Sequence, residues 1–157
     1  MARTTRATQA LDRAGVAYRV ATYDYDPSAD RIGMAAAQAL GVDPGRVLKT
    51  LMAQVDGKPV CVVLPSDREV SMKKLAAVFG GKAAEMMKPA DAERITGYHV
   101  GGVSPFGQKR AFPTAVAREA MDHAQVFING GQRGLQVELA PADAARALDA
   151  RVAELVA

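Results

Sequence analysis

The sequence predicts a mixed α/β domain, one mixed sheet with helices around it, and three observations carry that expectation. Apolar positions recur at helical spacing near the N-terminus and an Ala- and Leu-rich stretch follows Pro141, two apolar runs of strand length flank Asp56-Gly57, and strands and helices interleave along the rest. A hairpin in the middle of such an order brings antiparallel pairing, so the sheet is mixed and not the purely parallel sheet of a doubly wound fold. The 157 residues contain no linker, repeat or low-complexity segment, so residues 1–157 read as one domain. A chain of that length buries about 68 to 70% of the surface its unfolded form exposes, and needs no disulfide or metal to hold it.

Over residues 5–14, Ala7, Ala10, Leu11 and Ala14 follow helical spacing, with Thr5 available as cap and Gly15 as stop. The alternation Val16, Tyr18, Val20 predicts a strand. Residues 32–40 form a second short helix closed by Gly41, and Asp43-Pro44 makes a capped turn into Val47. Residues 47–55 and 60–64 are the hairpin strands, because Asp56-Gly57 supplies the positive φ angles of a tight turn. Ser71 caps a helix that Gly80-Gly81 ends, and Pro89 opens another that Gly97 ends. A glycine-rich loop spans 97–107. Strands follow at 126–129 and 135–139, joined by Gly130-Gly131-Gln132-Arg133-Gly134, and Pro141 starts a terminal helix.

Composition narrows the function classes. Hydrophobic residues make up 49% and charged residues 24%, as in an ordinary globular domain. No run approaches the roughly 18 apolar residues of a membrane span, and the N-terminal residues lack the apolar core of a signal peptide, so a cytoplasmic protein is expected. Cys61, the one cysteine, sits in the apolar run Val60-Cys61-Val62-Val63-Leu64 and reads as plain core. The net charge of +3, with a pI near 9.2, permits nucleic-acid binding without demonstrating it. His99 and His123 lie far apart with no partner at ligand spacing, which argues against a metal site; nucleotide and serine-hydrolase signatures are missing too.

Three features remain. Lys49 stands in Val47-Leu48-Lys49-Thr50-Leu51-Met52-Ala53, a strand apolar on both faces. Its ammonium either snorkels to water past its neighbours or points into a cavity that something polar must fill. Residues 97–107 hold four glycines and a Ser-Pro turn, which suits a backbone that aims N–H groups at an oxygen but equally a plain surface loop. Lys109-Arg110 follow, able to meet a phosphate backbone or simply solvated. The third is the turn at 130–134 with Arg133, which structure alone could explain. None of the three specifies a reaction.

Taken in order, Thr22-Tyr23 with Asp26-Pro27, Val47-Leu48-Lys49-Thr50-Leu51, Thr96-Gly97-Tyr98, Gly101-Gly102-Val103-Ser104-Pro105-Phe106-Gly107-Gln108-Lys109, and Gly130-Gly131-Gln132-Arg133-Gly134-Leu135 with Glu138-Leu139 resemble the YbaK family of aminoacyl-tRNA deacylases. That family is related to the editing domain inserted in bacterial prolyl-tRNA synthetases. The resemblance covers nearly the whole chain, and residues 101–109 are its most specific part. It implies a sheet partly closed into a barrel that holds the aminoacylated end of tRNA. It further implies catalytic roles for Lys49 and Gly101, substrate contacts from Tyr23, Gly102, Ser104, Asn129, Gly131 and Gln136, and weaker tRNA contacts from Lys109, Arg110 and Arg133. No cofactor, metal or membrane is implied, and prolyl-tRNA synthetase is a possible partner. The family often has serine where Asn129 stands and aspartate where Gln136 stands. Both replacements keep hydrogen-bonding capacity, and the lost acid argues against a mechanism needing one there.

The resemblance also accounts for the missing nucleophile. Enzymes of this type acting on cysteinyl-tRNA use the substrate's own thiol, so the protein needs only to position reactants and stabilise charge. The expected activity is removal of cysteine from mischarged tRNA(Pro), and of cysteine from tRNA(Cys). The alternatives are water-based hydrolysis of Ala-tRNA(Pro) or another mischarged tRNA, and a non-catalytic module that grips tRNA or a synthetase.

Overall fold

The computed structural model describes residues 4–28 and 31–157. Residues 1–3, part of the segment read as lacking a leader's apolar core, lie outside them. The first helix, α1 (Arg6–Arg13), has a capping box in which the Thr5 side chain accepts from the Thr8 N–H and the Thr8 hydroxyl accepts in return from the Thr5 N–H. The strand predicted at 16–20 begins later, as β1 (Arg19–Thr22). Val16 closes the helix instead, its N–H donating to Leu11 O while its side chain is buried. Helix α2 (Ile32–Leu40) ends at Gly41 in the left-handed conformation.

The hairpin joins β2 (Val47–Val55) to β3 (Lys58–Pro65) through Asp56 at φ 50° and Gly57 at φ 81°. Helix α3 (Met72–Val78) carries the Ser71 cap, and α4 (Pro89–Thr96) ends at Gly97. Between them lies β4 (Ala84–Met86), a strand without sequence signal. The Asp56 carboxylate accepts from the Lys82 and Ala83 N–H groups and so fixes the approach to β4. Strand β5 (Thr114–Ala117) is likewise without signal. Strand β6 (Val126–Gln132) runs three residues past its expected end through a bulge, which leaves Arg133-Gly134 as the turn into β7 (Leu135–Leu139). Helix α5 (Pro141–Leu148) and a short β8 (Arg151–Ala153) complete the chain.

The sheet is mixed, in the order β1-β7-β6-β2-β3-β5-β8, with β4 also on β2. The β2–β6, β3–β5 and β5–β8 pairs are parallel and the others antiparallel. No ladder joins β1 to β8 among the described residues, so the sheet path stays open. One side is covered by α1, α4 and α5 around Leu11, Leu48, Met52, Val63, Ile128 and Val137. The opposite side has two separate clusters. Helix α2 packs Ala36 and Ala37 on Val47 and Phe127, while α3 packs Leu75 and Ala76 against Ala53, Val55, Val62 and Leu64. Lys49 falls on β2 between those two clusters.

The edge of β2 away from β3 is divided. Val47 and Leu48 pair with β6, and Ala53 to Val55 pair with β4. Between these ladders the strand has no β partner on that edge. Alternate residues present their backbone groups to alternate edges. The Val47 carbonyl bonds Ser66 N on the β3 side, and the Met52 carbonyl bonds Met87 N on the other, so the Thr50 N–H and C=O face the gap.

Leu64 lies opposite Lys49 across the β2–β3 ladder and is fully buried. Leu64→Ala is expected to cost about 2 to 5 kcal/mol of unfolding free energy. Chemical denaturation measures it; a loss below about 1 kcal/mol would show that this face of β2 is not tightly packed.

Candidate active site

The gap in β2 opens into a cavity of about 380 Å³. Lys49, Thr50, Gly101, Asn129 and Gln136 all line it, together with Arg31, Ser66 and Glu69 at one end and Met86, Met87, Pro89 and Ala92 at the other. The structure therefore brings together four of the residues singled out from sequence, from β2, the glycine-rich loop, β6 and β7.

Lys49 is mostly covered, with 21% of its side chain exposed. Its ammonium lies 3.8 Å from Glu69, whose carboxylate is also 3.9 Å from Arg31. Burial depresses the Lys49 pKa, Glu69 and Asp67 oppose that, and the Arg31 charge adds to it. Lys49 is thus neither simply snorkelled nor buried unpaired: it stands in a cavity wall with one carboxylate near it. That carboxylate comes from the segment tied to the chain's end, where Ala157 N donates to Glu69 O and Ser71 N donates to Leu155 O. Sequence reading missed Arg31 and Glu69, because exposed charges in connecting segments carry no local pattern.

Gly101 has φ 91°, a conformation open to glycine and strained for other residues. An added Cβ would sit 2.5 Å from the Tyr25 hydroxyl, so alanine here would meet the aromatic ring that backs the loop. The Gly101 carbonyl accepts from Asn129 Nδ2 at 3.1 Å, and Asn129 Oδ1 accepts from Gly131 N at 2.7 Å. Asn129 is thereby a positioning residue that ties the loop to the β6 bulge. Gln136, beside it, is buried, and its Oε1 has no hydrogen-bond partner in the described structure. The same is true of Thr50 Oγ1 and of the Tyr23 hydroxyl. Burial raises the Tyr23 pKa and the nearby Gln136 side chain offsets part of that, although the two groups miss hydrogen-bond geometry. Of these three residues Thr50 and Gln136 line the cavity and Tyr23 does not; a buried polar atom without a partner is a group that water or a ligand can satisfy.

The other residues carried over from the resemblance lie elsewhere. Ser104 is fully buried and outside the lining; its hydroxyl accepts from Phe106 N and so shapes the loop. Gly102 lets the loop approach the backbone of Gln132 and Arg133, which a Cβ would meet at 2.9 to 3.0 Å. Gly131, at φ 94°, faces Tyr98 and α1, not the cavity. Lys109 reaches the Arg94 carbonyl at the C-terminus of α4, where cations are favoured by the helix dipole. Arg110 stacks on Phe112, while Arg133 stacks on Tyr25 and donates to the Val100 carbonyl. These basic residues have structural partners, and none lines the cavity. Cys61 is core, as expected, and burial pushes its thiol pKa to about 12.

A cavity at an unpaired stretch of a central strand that combines a cationic wall, a glycine backbone and buried polar groups is suited to polarising a carbonyl group. Comparison with known proteins defines the class. Residues 26–147 match the aminoacyl-tRNA editing domain, and the chain belongs to that family, as an aminoacyl-tRNA deacylase. It is 39% identical over 140 residues to EbsC of Enterococcus faecalis, which bears the provisional name Cys-tRNA(Pro)/Cys-tRNA(Cys) deacylase; 87% of this chain and 84% of EbsC are covered. It is also 30% identical over 102 residues to the proline–tRNA ligase of Geobacillus kaustophilus, covering 65% of this chain but 17% of that enzyme. A crystal structure described provisionally as a trans-editing enzyme for prolyl-tRNA synthetase superposes with a TM-score of 0.85 at 22% identity, over 99% of both chains, and shows the same fold.

Removing the Glu69 charge is expected to lower the Lys49 pKa further, since Glu69 opposes the effect of burial. A nitrogen-detected NMR titration of the Lys49 side chain in Glu69→Gln tests this; an unchanged or raised midpoint would break the pairing.

Proposed function

We propose that the protein acts in trans to remove cysteine from mischarged tRNA(Pro), and also from Cys-tRNA(Cys), with the substrate's thiol as nucleophile. The carrying observation is a cavity equipped to stabilise charge without an activated protein nucleophile. Cys61 is buried in the core with its thiol held protonated. The Ser66 hydroxyl is engaged by the Val47 carbonyl, and no histidine lines the cavity among the described residues. Thr50 lines it, but its Oγ1 is buried and has no hydrogen-bond partner among the described residues that could take its proton.

In this reading the substrate sulfur, as thiolate, attacks its own ester carbonyl, forming a C–S bond and a tetrahedral oxyanion. Collapse breaks the ester C–O bond and releases the tRNA ribose oxygen, which takes up a proton, leaving cysteine as its four-membered thiolactone. Lys49 stands near the developing oxyanion, and the Gly101 backbone orients the carbonyl. Proximity supplies much of the rate, because nucleophile and electrophile belong to one molecule. The similarity to EbsC supports the substrate, and the similarity to a segment of proline–tRNA ligases supports a link to prolyl-tRNA synthetase, which would add tRNA selectivity.

Lys49→Ala is expected to reduce deacylation of Cys-tRNA(Pro) by at least about 100-fold with the fold intact, the scale of losing one donor to developing charge. Near-normal turnover would remove Lys49 from the mechanism. The nucleophile is tested separately with the substrate. Replacing the esterified cysteine by serine should lower the rate by several orders of magnitude, beyond the roughly 10- to 200-fold of a simple pocket misfit. Efficient cleavage of Ser-tRNA or Ala-tRNA would replace the thiol route with water-based hydrolysis.

A further inference from the structure

The cavity has a direction. At the Val47 end, Ser66 bonds the Val47 carbonyl and Arg31 donates to the Ser66 carbonyl at 3.1 Å, which places Arg31 and Lys49 on that side. At the other end, the Met87 N–H bonds the Met52 carbonyl, and Met86, Pro89, Ala92 and Val103 give an apolar wall. Val47 and Met52 are five residues apart on an extended strand, roughly 16 Å at about 3.3 Å per residue. Thr50 and the Gly101 loop lie between. An aminoacylated nucleotide has the same sequence of parts: a small side chain, an ester on a ribose, then a phosphate.

Two carboxylates lie near the cationic end, Glu69 at 3.8 Å from Lys49 and Asp67 farther off. Arg31 and Lys49 share Glu69, whose side chain is 74% exposed and free to swing toward solvent. Arg31 is itself 53% exposed, and among the described residues its guanidinium is bonded to the Ser66 carbonyl with Glu69 at 3.9 Å, so N–H groups remain for a further acceptor there. Arg31 also precedes α2 without capping it by its side chain, and the first turn of α2 contains no acidic residue to offset its N-terminal N–H groups. Ile32 and Gly33 of that turn line the cavity. Gln136 also lines this space, and its Oε1, enclosed by protein just behind the wall, has no hydrogen-bond partner among the described residues, a polar group that a ligand or water could satisfy.

We infer that Arg31 binds the 5′-phosphate of the terminal nucleotide of the aminoacylated RNA, with Glu69 acting as the counterion that the phosphate displaces. The inference rests on the proposed deacylase reading and adds an orientation to it: phosphate at Arg31, ester at Lys49 and Gly101, amino-acid side chain at the methionine wall. Guanidinium suits this task, since its planar fork pairs phosphate oxygens at short range. It also explains why the lysine and arginine converge on one exposed carboxylate and not on a buried one.

The test compares two small substrates, the 3′-O-cysteinyl esters of adenosine and of adenosine 5′-monophosphate. Wild-type protein is expected to show a KM about 10-fold or more lower for the phosphorylated ester, the scale of a hydrogen-bonded charge pair. Arg31→Gln should abolish that preference, read as the ratio of KM for the two esters within one variant so that any effect on Lys49 common to both cancels, and Arg31→Lys should restore part of it. A merely structural role for Arg31 would change both esters alike. Equal KM values in the wild type, or a preference that survives in Arg31→Gln, would overturn the inference. If the esters are too small to be turned over, full-length Cys-tRNA decides. Arg31→Gln should then reduce the salt slope of log binding constant by about 0.7, and an unchanged slope overturns it. Failure of the wild type to cleave Cys-tRNA at all would instead overturn the deacylase reading, and this inference with it.

Discussion

The edge of β2 that faces away from β3 has two partners and a space between them. Strand β6 pairs with its first two residues, β4 pairs with its last three, and the intervening backbone at Lys49, Thr50 and Leu51 belongs to neither ladder. Unpaired backbone inside a protein is costly unless water or a ligand satisfies it. The rest of the site follows from that gap. The α2 and α3 helices must pack on separate parts of β2, which leaves room for the Lys49 side chain, and the glycine-rich loop must be held against β6 by Asn129 to form the opposite wall.

Electrostatics and topology reinforce each other here. A lysine on a strand apolar on both faces is tolerable because its head group emerges where no helix covers the sheet, within reach of a carboxylate on the next segment. The same placement keeps the ammonium partly desolvated and therefore effective against developing negative charge. The Ser66 hydroxyl at the cavity and the Ser104 hydroxyl behind it hold backbone together, on Val47 and Phe106, and the one cysteine packs in the core. The scaffold is thus invested in positioning.

Much of the architecture was legible because local rules and global fold agree. Thr5, Gly41, Asp56-Gly57, Ser71 and Gly97 punctuate the chain where the sequence places them. Strands β4, β5 and β8 were not legible, since each has only three or four residues, several of them alanine, and exists through pairing with distant strands. The alternation at Val16 and Tyr18 misled because Val16 is the apolar residue that closes a helix end, and Tyr18 hydrogen-bonds back to Asp12. In the site, Lys49 stood out by breaking the apolar pattern. The cavity-lining Asn129 and Gln136 came from the resemblance, which also supplied Ser104 and Gly131, residues that shape the loop and the bulge without reaching the cavity. Arg31, Glu69 and Tyr25 needed the fold to bring them near.

The division of β2 also orders the molecule in time. Its hairpin with β3 closes over a two-residue turn, a contact of minimal sequence separation, whereas its pairing with β6 joins Val47 to Phe127 across about half of the chain. Loop-closure entropy makes the first contact fast and the second slow. The strand bearing Lys49 is therefore formed early but its cavity is completed only when the C-terminal half docks, so the nascent chain presents the lysine to solvent well before it can act on any ester.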